Sequence, residues 1–327
     1  MSSFKVFLKN FTAGRKALFK RMGIYLASAL AVFEAVNIFL EDGAAAQWCE
    51  GVSLGGISLK SLLTNVLLYL GVGAVIALLR QSSFAHYCMN IVGTDVKIEI
   101  SMADIFSNKG EIVVPCNTTF SGREAVIGGR SIQTQMTNRI RFPKGEESSC
   151  ESNGEYFERV VSQSLQRPEC QERRLPGQKE LAGKLCDIYE YGTMAPVAFP
   201  VDGKTRKVIL LAVAEMLEPD KPKTDGQHLM KSIDDMWEQI ARSRTREQTL
   251  VVPILGTGSA GITDKPQQTV ARYILRTFAD NAHRLGIKKL VLSVYPQDYL
   301  EDKINLEELR CYADYLCRFP DSDFNIN

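Results

Sequence analysis

The sequence has few metal-binding side chains and no surplus of charge of either sign. Its 327 residues include three histidines and eight cysteines, and no two cysteines form a C-x-x-C pair. Zinc-ligand spacing is therefore absent, and scattered thiols favour a reducing compartment over a disulfide scaffold. The formal net charge is +1, so no overall field attracts nucleic acid. Internal repeats and low-complexity tracts are missing as well.

Two apolar segments of membrane-spanning length lie near the N-terminus. They cover about residues 22–40 and 61–79, and a helix needs about 20 such residues to cross a ~30 Å hydrocarbon core. Buried helices of a soluble domain are one alternative. A cleaved signal peptide is another, but it leaves the second segment unexplained. The sequence therefore predicts a transmembrane hairpin within residues 22–83. We expect the basic segment before it, residues 1–21, to form an amphipathic helix on the inner membrane surface or a disordered tail.

The charges around the two segments predict their orientation. Six lysines and arginines precede the first span, and Arg80 follows the second. The intervening loop carries Glu41, Asp42 and Glu50, with Lys60 as its single base. Positive residues concentrate on the cytoplasmic side of membrane proteins. Both termini should therefore lie in the cytoplasm, with the protein in the inner (cell) membrane.

Three polar residues interrupt the predicted spans. Glu34 and Asn37 lie in the outer half of the first span, and Asn65 lies in the outer half of the second. An acidic residue at the centre of a bilayer costs about 2.5–3.5 kcal/mol on insertion scales. Glu34 therefore faces other helices or water, where it would line a subunit contact or a pore, or is protonated, or extends to the outer interface.

The rest of the chain, residues 84–327, alternates between strand-like and helical patterns. Apolar runs of strand length cover residues 96–100, 112–115, 208–214, 250–255 and 290–294. Helical spacing covers residues 156–165, 229–240 and 266–285, and a further helical pattern carries Cys311 and Cys317. Polar stretches at 143–153 and 167–179 indicate surface loops. Because continuous apolar strands are typical of sheets covered on both faces, we predict a three-layer α/β domain with a mixed sheet.

A glycine-rich stretch follows the apolar run at 250–255. Its glycines and hydroxyl residues are, in order, Gly256, Thr257, Gly258, Ser259 and Gly261. Such a turn before a helix leaves backbone N–H groups available to phosphate or pyrophosphate. Glycine also lets the backbone approach an anion and adopt positive φ. Because glycine-rich turns often serve geometry alone, a phosphate site is one of two interpretations.

Polar residues also follow the first two predicted strands. Asp104 follows the first, and Asn117 and Thr118 follow the second. Sheets of this class bind ligands outside the carboxyl ends of their strands, so these residues are candidate ligand contacts, together with Ser131 and Gln133. As alternatives, Asp104 caps a helix or forms a turn, Asn117 satisfies local backbone, and the last two residues lie on an exposed loop.

These motifs together resemble the macro domain, an ADP-ribose-binding fold. The resemblance rests on Asp-Ile after the first strand, Val-Val-Pro-Cys-Asn at the second, and Pro-Ile-Leu-Gly-Thr-Gly-Ser-Ala-Gly before a helix. More narrowly, Gly-Gly-Arg-Ser-Ile-Gln at 128–133, Tyr191-Gly192-Thr193 and the glycine-rich loop look like the divergent macro domains of Thoeris anti-phage effectors. Two spans before such a domain are similar to the membrane-bound Thoeris effectors.

The resemblance implies a sensor and not an enzyme. In that family a TIR-domain partner converts NAD into an ADP-ribose-type signal, with histidine-ADP-ribose implied for the membrane-bound type. The macro domain binds the signal, the effector assembles into an oligomer, and membrane integrity fails. Carried over to this chain, Asp104 resembles the aspartate that accepts from the adenine amino group. Asn117 resembles the asparagine near the distal ribose, and residues 256–261 resemble the pyrophosphate loop.

The chain departs from the pattern of hydrolytic macro domains. Many of those carry Asn-x-x-Asn followed by three glycines, whereas Asn117 is followed here by Thr-Thr-Phe, and only Gly128 and Gly129 are present. None of the three histidines lies in a candidate ligand segment, so no Ser/His/Asp set is visible. Two alternatives to the sensor remain: a membrane-tethered hydrolase of ADP-ribose adducts, and an anchor that binds only protein.

Overall fold

A computed structural model describes the chain over residues 86–319, except for 124, 128, 130, 142–151, 244–247 and 257–265, together with 53–54 and 57–58. The chain divides into two compact units, Met1–Ala85 and His86–Asn327. In the first, β1 (Ser53–Leu54) pairs antiparallel with β2 (Ile57–Ser58). Both predicted spans, with Glu34, Asn37 and Asn65, lie outside the described residues. Within those residues, no helix combines the length and the apolar character that a membrane crossing requires.

The second unit mixes strands and helices along the chain. Its strands are β3 (His86–Asn90), β4 (Lys97–Ser101), β5 (Glu111–Asn117), β6 (Arg174–Leu181), β7 (Lys184–Tyr189), β8 (Met194–Val201), β9 (Lys204–Glu218), β10 (Lys221–Lys223), β11 (Thr249–Pro253) and β12 (Lys289–Ser293). Its helices are α1 (Ile132–Asn138), α2 (Asn153–Leu165), α3 (Pro168–Gln171), α4 (Gly226–Arg242), α5 (Gln267–Leu285), α6 (Pro296–Leu300) and α7 (Leu306–Arg318). A short 3₁₀ helix, Ile105–Ser107, precedes β5.

Eight of these strands form one mixed sheet, as the sequence predicts. The order is β10-β9-β5-β11-β12-β4-β3, with β8 paired to the other part of β9. The five central strands β4, β12, β11, β5 and β9 run parallel. The edge strands β3, β8 and β10 run antiparallel to their neighbours. Each central strand overlaps one of the five apolar runs of the sequence, so those five strand predictions are confirmed.

Helices cover both faces of the sheet. On one face, Ile112 and Val114 of β5 pack with Met136 of α1 and Phe157 of α2. Val113 lies between them on the chain and is fully buried, and successive strand side chains point to opposite faces. The other face is therefore covered as well, by α4 and α5, which contact each other and contact β9 and β12, respectively. This arrangement is the predicted three-layer α/β domain.

One predicted surface loop contains regular structure. Residues 167–179 hold α3 and the first part of β6, which pairs with β7 in a separate two-stranded sheet. Six of the eight residues of β6 are exposed, so the strand has no apolar alternation that the sequence could reveal. Leu181 at its end is buried against Val126, Ile127 and Met216.

Candidate functional site

The five parallel strands end at one edge of the sheet, which we call the carboxyl edge. Their last residues are Ser101, Asn117, Glu218, Pro253 and Ser293. Leu250 of β11 pairs with Glu111 of β5, and Gly256 and Asn117 each lie six residues beyond that pair. The glycine-rich turn therefore leaves a strand that neighbours β5 in the sheet, about 4.8 Å away.

Gly256 adopts a left-handed backbone conformation at this edge. Its φ is +75°, a region in which a side chain would clash with the following carbonyl oxygen. The glycine is therefore required by the turn that leaves β11. Thr257, Gly258, Ser259 and Gly261 lie outside the described residues, so the structure places only the first residue of the predicted phosphate loop.

Asn117 shapes the turn that follows β5. It is buried, and its Oδ1 accepts hydrogen bonds from the backbone N of Thr119 at 3.0 Å and from the Thr119 hydroxyl at 2.6 Å. Its Nδ2 donates to the carbonyl oxygen of Ser121 at 3.3 Å. Phe120, inside the turn, has φ of +53°, which is a true outlier for a bulky residue. The carboxamide of Asn117 thus makes the local bonds foreseen as the alternative to a ligand contact.

Gln133 joins Asn117 at the same carbonyl group. Its Nε2 donates to the carbonyl oxygen of Ser121 at 2.8 Å, and the side chain is buried in α1. Ser131 is the N-cap of α1 and accepts from the backbone N of Thr134 at 3.0 Å. Both residues therefore fix the start of α1 next to the turn after β5, and neither matches the exposed-loop alternative.

Thr118 carries a buried hydroxyl without a partner among the described residues. Its backbone N donates to the carbonyl oxygen of Ala214, and its own carbonyl oxygen accepts from the backbone N of Tyr189. The Oγ1 atom is enclosed and makes no hydrogen bond. Buried polar groups are normally satisfied, so an orphan calls for an explanation. Thr118 lies directly beyond β5, where a ligand of the carboxyl edge would be bound.

The structure does not bring Asp104 together with these residues. Asp104 caps the 3₁₀ helix by accepting from the backbone N of Phe106, and its Oδ2 lies 2.7 Å from Nη2 of Arg139. Arg139 directly follows α1, whereas Ser131 precedes it. The seven residues of α1, which rise about 10 Å, separate Arg139 from Ser131. Asp104 therefore has the capping role that was the alternative to adenine binding.

Glu158 supports the turn after β5 and lies outside every motif seen in the sequence. Its Oε1 accepts from the Ser121 hydroxyl at 3.0 Å and from Nε of Arg123 at 3.2 Å, and its Oε2 lies 2.6 Å from Nζ of Lys184. A Cβ on Gly122 would come within 2.0 Å of the Phe157 ring. Helix α2 and the β6–β7 hairpin therefore clamp this turn. These contacts of Glu158 and Phe157 join residues that are far apart in the sequence, so no local motif predicts them.

The Tyr191-Gly192-Thr193 motif has a packing explanation. Gly192 has φ of +78°, and a Cβ there would lie 2.6 Å from Cβ of Asp235 on α4. Asp235 in turn is 2.5 Å from Nη2 of Arg173, and Gln239 donates to the carbonyl oxygen of Gly192 at 2.6 Å. The motif thus marks the place where the chain leading into β8 touches α4.

Tyr191 also contacts a histidine at the start of α4. The rings of Tyr191 and His228 have centroids 4.5 Å apart, and Nδ1 of His228 lies 2.8 Å from Oδ2 of Asp225. The backbone N–H of His228 lowers the pKa of Asp225, and burial raises the pKa of Tyr191. Across the part of the chain that the structure describes, no three His, Cys, Asp or Glu side chains come together to hold a metal ion.

The chain is similar to a protein family and, more weakly, to solved structures. No curated protein matches the chain. The Oceanobacillus iheyensis macrodomain with ADP is 12% identical, with 67% of this chain and 98% of that chain covered and a TM-score of 0.39. The same macrodomain with MES bound is 12% identical, with 70% and 98% covered and a TM-score of 0.43. The family model described as Thoeris protein ThsA, macro domain, matches residues 98–294, which is more than half of the sequence. The chain therefore belongs to the family of the Thoeris ThsA macro domain.

Proposed function

We propose that this protein is a membrane effector of bacterial anti-phage defence that is activated by an ADP-ribose-derived nucleotide. The observation that carries the proposal is the left-handed Gly256 at the carboxyl edge, after the strand next to β5, in a domain of the Thoeris ThsA macro family. A glycine-rich turn at this place, followed by the nineteen-residue helix α5, suits a pyrophosphate group.

The residues around this turn suggest how the nucleotide is held. Backbone N–H groups of residues 256–261 bind the pyrophosphate. The orphan hydroxyl of Thr118 offers a donor or acceptor at the end of the neighbouring strand. The turn after β5 is held in place by Asn117, Gln133 and Glu158, so little ordering accompanies binding, which favours affinity.

The family supports a proposal for the signal and its effect. A TIR-domain partner makes the nucleotide, with histidine-ADP-ribose as the specific ligand. The predicted spans at 22–40 and 61–79 place the protein in the inner membrane with both termini in the cytoplasm. Binding of the signal drives assembly of a homo-oligomer, and the assembled spans, with Glu34 at a subunit contact or pore, disrupt the bilayer.

The ligand must favour the assembled state strongly. Moving a two-state population from 1:99 to 99:1 requires about 5.5 kcal/mol of differential affinity. A nucleotide that contacts the glycine-rich turn and the end of β5 together can supply this amount, since hydrogen bonds to charged groups contribute roughly 1.5–3 kcal/mol each.

Substitution of Gly258 tests the proposed site. Gly258→Glu places a carboxylate in the phosphate turn, where it repels the pyrophosphate. We expect calorimetric binding of histidine-ADP-ribose to the full chain in micelles to be lost while membrane insertion persists. Gly203→Glu is the matched control, because Gly203 lies in the β8–β9 turn, away from the carboxyl edge, with open space around its Cα. Unchanged binding by Gly258→Glu would count against the site.

The same protein distinguishes a sensor from an enzyme. Prolonged incubation of the full chain with histidine-ADP-ribose should leave the nucleotide intact in a stoichiometric complex. Release of free histidine and ADP-ribose over time would favour the hydrolase instead. Absence of any bound nucleotide would favour an anchor that recognises only protein.

A further inference from the structure

The strand that follows the N-terminal unit enters the sheet at the carboxyl edge. His86, the first residue of β3, pairs with Ser101, the last residue of β4. The antiparallel direction of β3 therefore puts the covalent link to residues 1–85 on the edge that also carries the glycine-rich turn. Three strand spacings separate β3 from β11 in the sheet, or about 14 Å.

Helix α7 is attached to β3 along its length. The hydroxyl of Tyr87 donates to Oδ1 of Asp314 at 3.1 Å, and the guanidinium of Arg310 lies 4.9 Å from the centre of the Tyr87 ring. Beyond β3, the backbone N of Val92 donates to the carbonyl oxygen of Cys317 at 2.8 Å. A shift of α7 would therefore be transmitted to β3.

The start of α7 is attached to the first turn of α5. Gln268 donates through Nε2 to the carbonyl oxygen of Asn305 at 3.3 Å and accepts from the backbone N of Asn305 at 3.0 Å. Asn305 is the N-cap of α7. One turn further along α5, Arg272 forms an ion pair with Glu308. Helix α5 begins at Gln267, six residues after Gly261, so this two-bond clasp connects the helix that follows the glycine-rich turn to α7.

We propose that α7 relays occupancy of the glycine-rich turn to β3, the strand that leads to residues 1–85. The relay runs from Gln268 in α5 through Asn305 and α7 to Tyr87. It rests on the proposed function, because it describes how ligand binding reaches the N-terminal unit. Packed helices with two discrete positions carry coupling between sites, and α7 makes polar contacts with both elements that it would connect.

A pair of tyrosine substitutions tests the relay. Tyr87→Phe removes one hydrogen bond to a carboxylate between α7 and β3. Tyr273→Phe removes an equivalent bond, from Tyr273 to Oδ2 of Asp234 at 2.7 Å between α5 and α4, and is the matched control. The full chain is reconstituted in vesicles that contain a self-quenched dye. Histidine-ADP-ribose is titrated, and both dye release and calorimetric affinity are measured.

We expect Tyr87→Phe to raise the ligand concentration for half-maximal release roughly tenfold, which is the size of one bond to a charged acceptor. Its ligand affinity should stay within about threefold of wild type, and Tyr273→Phe should match wild type in both measurements. Equal dye release by the two variants would overturn the relay while leaving the proposed function intact. Failure of the wild type to bind or to release dye would instead remove the proposed function and the relay with it.

A second variant covers the case in which Tyr87→Phe folds poorly. Gln268→Ala opens the clasp at the opposite end of α7 without touching β3. We again expect dye release and ligand affinity to respond differently. Affinity should stay within about threefold of wild type, whereas half-maximal dye release should require a higher ligand concentration. Hydrogen exchange should show slower exchange of the β3 amides on ligand binding in wild type and a smaller change in Gln268→Ala. An identical change in both proteins would also overturn the relay.

Discussion

The contact between Gly192 and α4 makes a strong prediction about stability. An alanine at this position would hold φ at +78° and put its Cβ 2.6 Å from Cβ of Asp235 and 2.7 Å from its Oδ2. Real atoms do not approach so closely, so Asp235 must move. Its carboxylate pairs with Arg173, and both side chains are about four-fifths buried.

Three contributions determine how much Gly192→Ala should lower the free energy of unfolding. The left-handed conformation costs a non-glycine residue roughly 1–2 kcal/mol, and restriction of the unfolded chain returns about 0.4–1 kcal/mol. Disturbing the bond between Asp235 and Arg173 removes roughly 1.5–3 kcal/mol. We expect Gly192→Ala to lower the free energy of unfolding by about 2–4 kcal/mol. Gly203→Ala, with φ of +74° and open space around it, carries only the first two contributions and should cost about 1 kcal/mol.

Urea unfolding of the full chain in micelles measures the difference. The sequence has two tryptophans, Trp48 and Trp237, so a Trp48→Phe background leaves buried Trp237 on α4 as the single reporter. In an Asp235→Ala background, which removes the carboxylate but keeps the Cβ, the penalty of Gly192→Ala should fall by the contribution of the bond to Arg173, and this coupling isolates that bond. Equal penalties for the two glycines in the original background would refute the reasoning.

Two further predictions concern titration and reactivity. Burial, followed by the bond to Asp314, raises the pKa of Tyr87 to about 12 from 10.0. The unfolded chain loses this proton first, so stability should fall as pH rises from 10 towards 12, and Tyr87→Phe should show a shallower fall in urea unfolding. Burial raises the pKa of Cys170 and Cys317 to about 11, whereas Cys88 and Cys311 are exposed. At pH 8, mass spectrometry should find iodoacetamide on the exposed pair first, and equal labelling of Cys170 would contradict this order.

The sequence predicts the parts of the fold that are buried on both sides. The five central strands are apolar because helices cover both faces, and the run at 208–214 sits inside β9 for this reason. The residues at the two ends of β9, which begins at Lys204 and ends at Glu218, are largely exposed. Hydrophobic periodicity therefore could not identify them as strand. Strand β3 alternates between exposed and half-buried residues with mixed polarity, and it escaped detection for the same cause.

The candidate site was predictable to the level of strand ends. The sequence shows that Asn117, Thr118 and the glycine-rich turn follow predicted strands. Because these strands pair in parallel, their carboxyl ends lie at one edge of the sheet. The sequence could not show that Asp104 pairs with Arg139, because that contact depends on how α1 lies on the sheet. Likewise, Glu158 supports the turn after β5 through residues about 35 positions away in the sequence, and no local sequence pattern predicts such contacts.

The central claim is that the turn after β11 holds an intact ADP-ribose-type nucleotide. Native mass spectrometry of the full chain, released from micelles after incubation with histidine-ADP-ribose, tests it most directly. We expect one added nucleotide mass per protomer, unchanged over hours and absent from Gly258→Glu. A wild-type spectrum without the added mass, or one in which it gives way to the mass of ADP-ribose alone, would contradict it.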